Sequence, residues 1–171
     1  MLRDITMDDL PLYTRMVRDP VMMAELGGPL PPEGIEQKVK DIVRDVEDGR
    51  IWYFVIVDDG AEAGTVCVWD HEDDGEAINE IGWMVAPDFQ GRGLASAAVR
   101  EVLDRAESEG RWGRIHAFPA VTNGPSNAIC RKNGFIHIGE RDIVYAGRTL
   151  RCNDWVVTTR PSPPSGARSD G

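Results

Sequence analysis

The stretch from residue 77 to residue 118 constrains the fold most, because two strand patterns enclose a glycine loop and a helix pattern. The apolar segment AINEIGWMVA predicts a strand, and it leads into PDFQGRG, where Gly91 and Gly93 flank an arginine. An amphipathic pattern from Leu94 to about Glu109 predicts a helix, and RIHAF predicts a short strand. Two strands joined through a helix form a crossover and lie parallel. The chain is therefore expected to contain a mixed sheet.

Two helices are predicted before this crossover. Residues 2–5 predict a short strand, and Thr6 followed by Asp9 resembles a helix-capping arrangement. The helix that begins there runs to about Arg18, and a second helix ends at Gly49. Their predicted apolar faces are Leu10, Tyr13 and Val17 in the first helix, and Ile35, Val39, Ile42, Val43 and Val46 in the second.

The remaining segments predict strands and one more helix. IWYFVIV is apolar at every position, which is typical of a strand covered on both faces. Asp59-Gly60 predicts a hairpin turn into TVCVW, and DHEDDGE predicts an exposed turn before AINEIGWMVA. PSNAICRKN predicts a short helix closed by Gly134, followed by two strands around an Ala-Gly turn. The order β-α-α-β-β-β-α-β-α-β-β predicts an α/β fold with a mixed, mostly antiparallel sheet.

Composition limits the classes of function. The chain has 171 residues, of which 42% are hydrophobic and 28% charged, as expected for one domain over residues 1–160. Residues 161–171, rich in Pro, Ser and Gly, predict a disordered tail. The formal charge of −10 argues against nucleic-acid binding, and we expect neither a membrane span nor a signal peptide. The scattered cysteines Cys67, Cys130 and Cys152 predict a reduced, cytoplasmic protein without structural zinc, present as a monomer or homodimer.

The glycine loop predicts an anion site. It lies before the first turn of a helix, where backbone N–H groups lack partners and the helix dipole adds about half a positive charge. Because Gly91 and Gly93 have no side chain, the oxygens of an anion can reach these N–H groups, and Arg92 adds further donors. A tight turn without a ligand is the structural alternative.

Two common phosphate-binding motifs do not fit this loop. A P-loop requires Gly-Lys-Ser/Thr, but Leu94 and Ala95 follow Gly93. A dinucleotide fingerprint requires a third Gly or Ala where Ser96 stands, and an acid about 20 residues later, which GRWGRIHAF lacks. The spacing Gln-x-x-Gly-x-Ala, formed by Gln90, Gly93 and Ala95, resembles the pyrophosphate loop of the GNAT superfamily. Members of this superfamily are N-acetyltransferases that use acetyl-CoA.

A second motif strengthens this resemblance. The family pattern continues with Asn-x-x-Ser and a Gly-Phe pair eight residues later, here Asn123, Ser126 and Gly134-Phe135. The segment DPVMMAELGGPLPP resembles the acceptor-side loop of the RimJ/RimL-type branch, which acts on protein N-termini and related amines. It is expected either to form a wall of a substrate cleft or to fold back on the core. The resemblance implies the single-domain acyl-CoA N-acyltransferase fold, in which the crossover binds the cofactor.

The resemblance also implies how acetyl-CoA, the expected co-substrate, is held without a metal. The pantetheine arm would lie between two splayed parallel strands and bond to backbone at Met84 and Val85. Asn123 would bond the arm near the thioester, cap the following helix, or do both. The pyrophosphate would lie over Gln90, Gly91, Arg92, Gly93, Leu94, Ala95 and Ser96.

The acceptor amine must lose a proton before it attacks the thioester, because an aliphatic amine is mostly protonated at pH 7. Glu80 is the first candidate base, since the family often has a carboxylate at this position. The alternative is a strand glutamate that faces the surface in a salt bridge. His116 is an alternative base or a hydrogen-bonded structural histidine. A backbone N–H near Met84 or Val85 is expected to stabilise the oxyanion.

The general acid departs from the family pattern. Many members have a tyrosine four residues before the Gly-Phe pair, where this chain has Cys130. Cys130 is either the catalytic acid or a core side chain, and Tyr145, Ser126 or water could replace it. The sequence therefore predicts direct acetyl transfer to a primary amine, which is a protein N-terminus or a small molecule. Its alternative is a catalytically inactive acyl-CoA-binding sensor or scaffold.

Overall fold

The computed structural model describes residues 1–73 and 75–159, and over these residues one mixed sheet of seven strands lies between two pairs of helices. The predicted tail, 161–171, lies outside the described residues. The sheet order is β1-β2-β3-β4-β5-β7-β6. The strands are β1 (Leu2–Asp4), β2 (Trp52–Asp58), β3 (Ala61–Asp73), β4 (Glu76–Val85), β5 (Arg114–Ala117), β6 (Ile136–Tyr145) and β7 (Arg148–Thr158). The helices are α1 (Leu10–Arg18), α2 (Ile35–Glu47), α3 (Leu94–Glu109) and α4 (Gly124–Lys132). This order and the mixed sheet confirm the predicted fold class.

One expectation about local structure was wrong. DHEDDGE is not a turn along most of its length, because the β3–β4 ladder continues through His71↔Ile78 and Glu72↔Ala77 as far as Asp73↔Glu76. The ladder pairs the backbone N–H and C=O groups there, while the side chains of Asp70 and Glu72 are exposed. Leu10, predicted on the apolar face of α1, is partly buried and packs against the core. The buried side chains of α1 are Leu12, Tyr13, Met16 and Val17.

The capping arrangement at the start of the chain is confirmed. Asp9 accepts a hydrogen bond from the Thr6 backbone N–H at 2.8 Å, and its side chain is buried. Arg3 lies 2.6 Å from the same carboxylate. Burial would raise the pKa of Asp9, but the hydrogen bonds from Arg3 and Thr6 outweigh burial and lower it. A buried charge is thus stabilised by its donors at the base of α1.

Both faces of the sheet carry an apolar core. On one face, α1 and α2 pack against alternate β2 residues, including Val55 and Tyr53. On the other face, α3 and α4 pack against Phe54 and Ile56 of the same strand. This two-sided burial explains why IWYFVIV is apolar throughout. Met84 belongs to the α1–α2 side, whereas Ile81 belongs to the α3–α4 side.

The parallel pair β4–β5 opens into a wedge. Its register comprises Asn79↔Ile115 and Glu80↔His116. Beyond Glu80, β4 runs on to Val85 along β3, while β5 ends one residue beyond His116. The predicted splayed strands are therefore present, with Glu80 and His116 at the point where they separate. The wedge opens toward the glycine loop.

Candidate active site

The glycine loop presents free backbone N–H groups at the start of α3. Gly91 (φ 75°) and Gly93 (φ 79°) both have left-handed backbone conformations, which explains why glycine stands at both positions. Gly93 is the N-cap of α3, and no side chain caps the helix. Residues 90–93 are exposed. The N–H groups of the first helical turn therefore remain available to an anion, as the sequence predicts.

The polar side chains of the loop mainly hold the loop itself. Gln90 Nε2 donates to the Val85 carbonyl at 2.9 Å and so ties the loop to the end of β4. Arg92 Nη2 donates to the Asp88 carbonyl at 2.8 Å, and its guanidinium lies over the Phe89 ring at 5.1 Å. In this conformation, the loop offers an anion its backbone more than its side chains.

Ser96 contributes less than expected. Its side chain is buried, and its hydroxyl accepts a hydrogen bond from Asn133 Nδ2 at 3.2 Å. The hydroxyl therefore joins α3 to the end of α4. Its backbone N–H, in the first turn of α3, is the group that fits the predicted role.

The direction of the β4 amides identifies which residues line the wedge. Ala86 N–H donates to the Ala63 carbonyl of β3 at 2.8 Å. Because amide directions alternate along a strand, the N–H of Met84 also points to β3, whereas those of Val85 and Trp83 point into the wedge. Of the two residues predicted to bond the cofactor arm or the oxyanion, Val85 therefore has an N–H group that points into the wedge, whereas the Met84 N–H points to β3. A contact of either residue with the cofactor stays a prediction.

Asn123 caps the helix that follows it, which is one of its two predicted roles. Its side-chain Oδ1 accepts from the Ser126 backbone N–H at 3.1 Å, so it caps α4. The adjacent Asn127, which was missed from the sequence, accepts from Asn153 Nδ2 at 2.7 Å and from Trp155 Nε1 at 2.8 Å. These bonds connect the start of α4 to β7. A contact between Asn123 and a cofactor stays a prediction.

Glu80 lies on the sheet face that α1 and α2 cover. It is the register partner of Trp69 on β3 and of His116 on β5, so all three side chains lie on this face. Its Oε2 is 3.7 Å from His71 Nδ1, and the Glu80 side chain is 19% exposed. A partly buried carboxylate between two imidazoles suits proton transfer better than a solvated salt bridge. His71 was missed because its segment was interpreted as a turn.

The segment between α1 and α2 closes one side of this face. Thr122 Oγ1 donates to Glu25 Oε2 at 2.6 Å, which joins the segment to the β5–α4 connection. A Cβ at Gly27 would lie 2.8 Å from Arg148 Cδ, so the segment also contacts the β6–β7 turn. Met23 is fully buried in the core. The segment therefore folds back on the core, and its role as a wall of a substrate cleft stays a prediction.

Three tyrosines lie around Cys67 on the same face. The rings of Tyr13 and Tyr53 are 6.4 Å apart. Burial raises the pKa of Tyr13 to about 12 and that of Tyr53 well above its ordinary value. Burial and the charge of Glu80 raise the pKa of Cys67 to about 12, and burial raises the pKa of Tyr145. These groups are neutral at pH 7 and form a polar but uncharged wall.

The catalytic role predicted for Cys130 is not supported. Its side chain is 0% exposed and packs in the main core with Phe135 and Trp155. Burial raises the pKa of its thiol to about 12. A thiol with no access to the wedge cannot protonate a leaving group there. The structure therefore favours the alternative role of Cys130 as a core side chain, because Cys130 lies in the same apolar cluster as the buried residues of α3.

His116 makes a buried hydrogen bond, as expected if it is a structural histidine. Its Nδ1 lies 2.8 Å from Asp154 Oδ1, and both side chains are buried. Asp154 was missed from the sequence, although an acid inside the apolar strand CNDWVV signals a buried partner. The two residues are 38 positions apart, so only the pairing of β5 with β7 brings them together.

The described residues form neither a metal-binding cluster nor a membrane-spanning helix. Residues 1–73 and 75–159 contain no cluster of three or more His, Cys, Asp or Glu that could hold a metal ion. Within the same residues, no helix has the length and apolar character needed to cross a membrane.

The fold and the wedge agree with a known family. The family model described as an acetyltransferase (GNAT) domain matches residues 1–136, more than half of the chain. The chain belongs to the GNAT acetyltransferase family. The class predicted from the glycine loop is thus confirmed.

Two curated proteins of Bacillus subtilis (strain 168) are similar in sequence. YdaF, which is named as a proposed ribosomal N-acetyltransferase, is 36% identical over 67 residues, or 39% of this chain and 37% of YdaF. YnaD, named as an uncharacterized N-acetyltransferase, is 37% identical over 60 residues, or 35% of each chain. The matched segments thus span little more than a third of the length of these relatives.

Solved structures share the whole fold. RimL, a ribosomal L7/L12 alpha-N-protein acetyltransferase in complex with coenzyme A, has a TM-score of 0.79 at 18% identity, over 94% of both chains. The spermidine N-acetyltransferase from Vibrio cholerae, in complex with CoA and spermine, has a TM-score of 0.76 at 18% identity, over 93% of this chain and 95% of that one. At these identities, the neighbours show the shared fold.

Proposed function

We propose that the protein transfers the acetyl group of acetyl-CoA directly to a primary amine while both substrates are bound. The observation that carries this proposal is the continuity of the site: the uncapped start of α3 opens into the β4–β5 wedge, and the wedge closes at Glu80. A pyrophosphate, a thioester and a base can be accommodated along this line. The accepted amine is a protein N-terminus or a small-molecule amine.

The chain fits the co-substrate through its backbone. The N–H groups of Leu94, Ala95 and Ser96 would hold the pyrophosphate together with the amides at Gly91 and Gly93. The Val85 N–H, which points into the wedge, would bond the pantetheine arm or the oxyanion. Asn123, at the start of α4, would add a polar contact. The Arg92 side chain would stabilise the conformation of the loop through its hydrogen bond to the Asp88 carbonyl.

Glu80 would remove the proton from the bound ammonium. It lies on the sheet face that α1 and α2 cover, at the point where β4 and β5 separate. The free amine then attacks the thioester carbonyl, and the attacking nitrogen gives its second proton to water. The acetyl–sulfur bond breaks, and the amide and the thiolate are formed. A thiolate leaves readily, so water or Tyr145 can supply its proton, and the burial of Cys130 does not prevent turnover.

We also propose a cytoplasmic location and an N-acetyltransferase domain spanning residues 1–160. The support for the location is that Cys67, Cys130 and Cys152 are all free thiols. The support for the domain is that the sheet and its helices fill the described part of this range. A monomer or a homodimer is compatible with this arrangement.

The loop can be tested with a pair of glycine substitutions. Gly93→Ala adds a methyl group beside the N–H groups of α3, and Gly49→Ala is a matched control at the end of α2. Both glycines have positive φ, and an added Cβ would meet nothing within 4 Å at either position. Both variants therefore carry a similar strain of about 1 to 2 kcal/mol.

We expect calorimetry to detect coenzyme A binding by the wild type and by Gly49→Ala, and at least about ten-fold weaker binding by Gly93→Ala. Release of coenzyme A with a panel of amines then tests turnover. If coenzyme A binds but no amine elicits release, the protein is a binding domain and the proposed reaction is wrong. Equal affinity in both variants would contradict the site.

A further inference from the structure

A row of titratable side chains crosses the sheet beside Glu80. On the face that α1 and α2 cover, His71 of β3 lies next to Glu80 of β4, followed by His116 of β5 and Asp154 of β7. Glu80 and His116 are directly opposed across a parallel pair, at neighbouring strands about 4.8 Å apart. The proposed reaction uses only Glu80 of this row.

The Asp154 carboxylate determines which ring nitrogen of His116 carries the hydrogen. A carboxylate can only accept hydrogen bonds, so His116 Nδ1 carries the hydrogen in the 2.8 Å contact with Asp154. The second ring nitrogen, Nε2, is then left to accept a proton. Because both side chains are buried, this contact fixes the orientation of the His116 ring.

A cavity connects this pair with the surface. It has a volume of about 270 Å³ and is lined by both members of the pair, His116 and Asp154, and by Glu76, Arg114, Ile138 and Arg141. Ile138 is 51% exposed, and Glu76 is also exposed, so the cavity reaches solvent. Water in it can receive a proton from His116.

We propose that His116, oriented by Asp154, is a positioning residue that relays the acceptor's proton from Glu80 to solvent. This inference rests on the proposed function. The ammonium proton passes to the Glu80 carboxylate, then to His116 Nε2, and then to water in the cavity, which restores Glu80 as a carboxylate. The Nδ1 hydrogen stays on its nitrogen throughout. His116 therefore acts through Glu80 and does not touch the amine.

Charged groups on four strands surround His116. Glu80 and Glu76 lie on β4, Asp154 on β7, Arg114 on β5 and Arg141 on β6. Arg141 Nη1 lies 3.7 Å from Asp154 Oδ2 and partly offsets its charge. His71 adds a second imidazole on the far side of Glu80.

The test compares two histidines. His116→Gln removes the relay, and His137→Gln is the matched control, because His137 is exposed and bonds Asn153 on β6–β7. We expect kcat to fall about ten-fold or more in His116→Gln, with the KM for acetyl-CoA unchanged. His137→Gln keeps the wild-type kcat. Added imidazole is expected to restore kcat in His116→Ala, because the cavity admits a small ring.

Asp154→Asn provides a second, shape-preserving test, which also serves if His116→Gln does not fold. We expect a lower kcat with the KM for acetyl-CoA unchanged, because the amide does not hold the His116 ring as the carboxylate does. A wild-type kcat in Asp154→Asn together with no imidazole rescue would overturn the relay, as would a kcat for His116→Gln within about two-fold of wild type at every pH. If the wild type itself releases no coenzyme A, it is the proposed function that fails.

Discussion

Glu80→Gln is the most informative substitution, because its effect depends on the kind of amine. The variant keeps the shape of the side chain but cannot take the proton, so only acceptor that is already unprotonated can react. At pH 7 about one lysine-like amine in 2,500 is unprotonated, against about one peptide α-amine in seven. The expected loss of kcat/KM is therefore up to about 10³-fold for the first class and less than about ten-fold for the second.

The assay is coenzyme A release measured from pH 6 to pH 10 with an N-terminal peptide and with a polyamine. In Glu80→Gln, log kcat/KM should rise by about one per pH unit up to the pKa of the acceptor. Glu72→Gln is the control, because Glu72 is exposed on β3 and lies on the opposite face. If the pH profile of Glu80→Gln follows that of the wild type with both acceptors, Glu80 is not the base.

Two further substitutions separate structural from catalytic roles. Cys130→Ala should lower the free energy of unfolding by about 1 to 2 kcal/mol, because it leaves a small core cavity. Its kcat/KM at 25 °C should stay unchanged. Urea unfolding measures the first effect and the coenzyme A assay the second, and a large loss of kcat would restore the acid role of Cys130. Asp9→Asn should remove part of the acid sensitivity of folding. Since hydrogen bonds lower the pKa of Asp9 in the folded state, its contribution is complete above the ordinary value near 3.8 and is lost as the pH falls through the lower folded value. Thermal unfolding from pH 7 to pH 3 would show a flatter profile in Asp9→Asn than in the wild type, and parallel profiles would contradict this assignment.

The order of elements follows from local patterns. The spacing of Ile35, Val39 and Ile42 specifies one face of a helix. A run of apolar residues such as IWYFVIV fits a strand that is buried on both faces of the sheet. The glycine loop could be recognised because positive φ at Gly91 and Gly93 is a local requirement of the backbone. The long β3–β4 hairpin was underestimated, since acidic residues in DHEDDGE resemble a turn until their backbone finds a partner.

The sequence by itself determined the class of protein, since the motifs around Gly93 and Asn123 and the alternation of apolar residues are carried by neighbouring positions. Only the tertiary structure decided which side chains share the site. The sheet face on which the Glu80 side chain lies depends on the strand register. The contact between His116 and Asp154 depends on the pairing of two strands whose residues lie 38 positions apart in the chain. The burial of Cys130 depends on how α4 packs against the core. Such contacts are set by packing between distant elements, and a single chain read along its length contains no local signal for them.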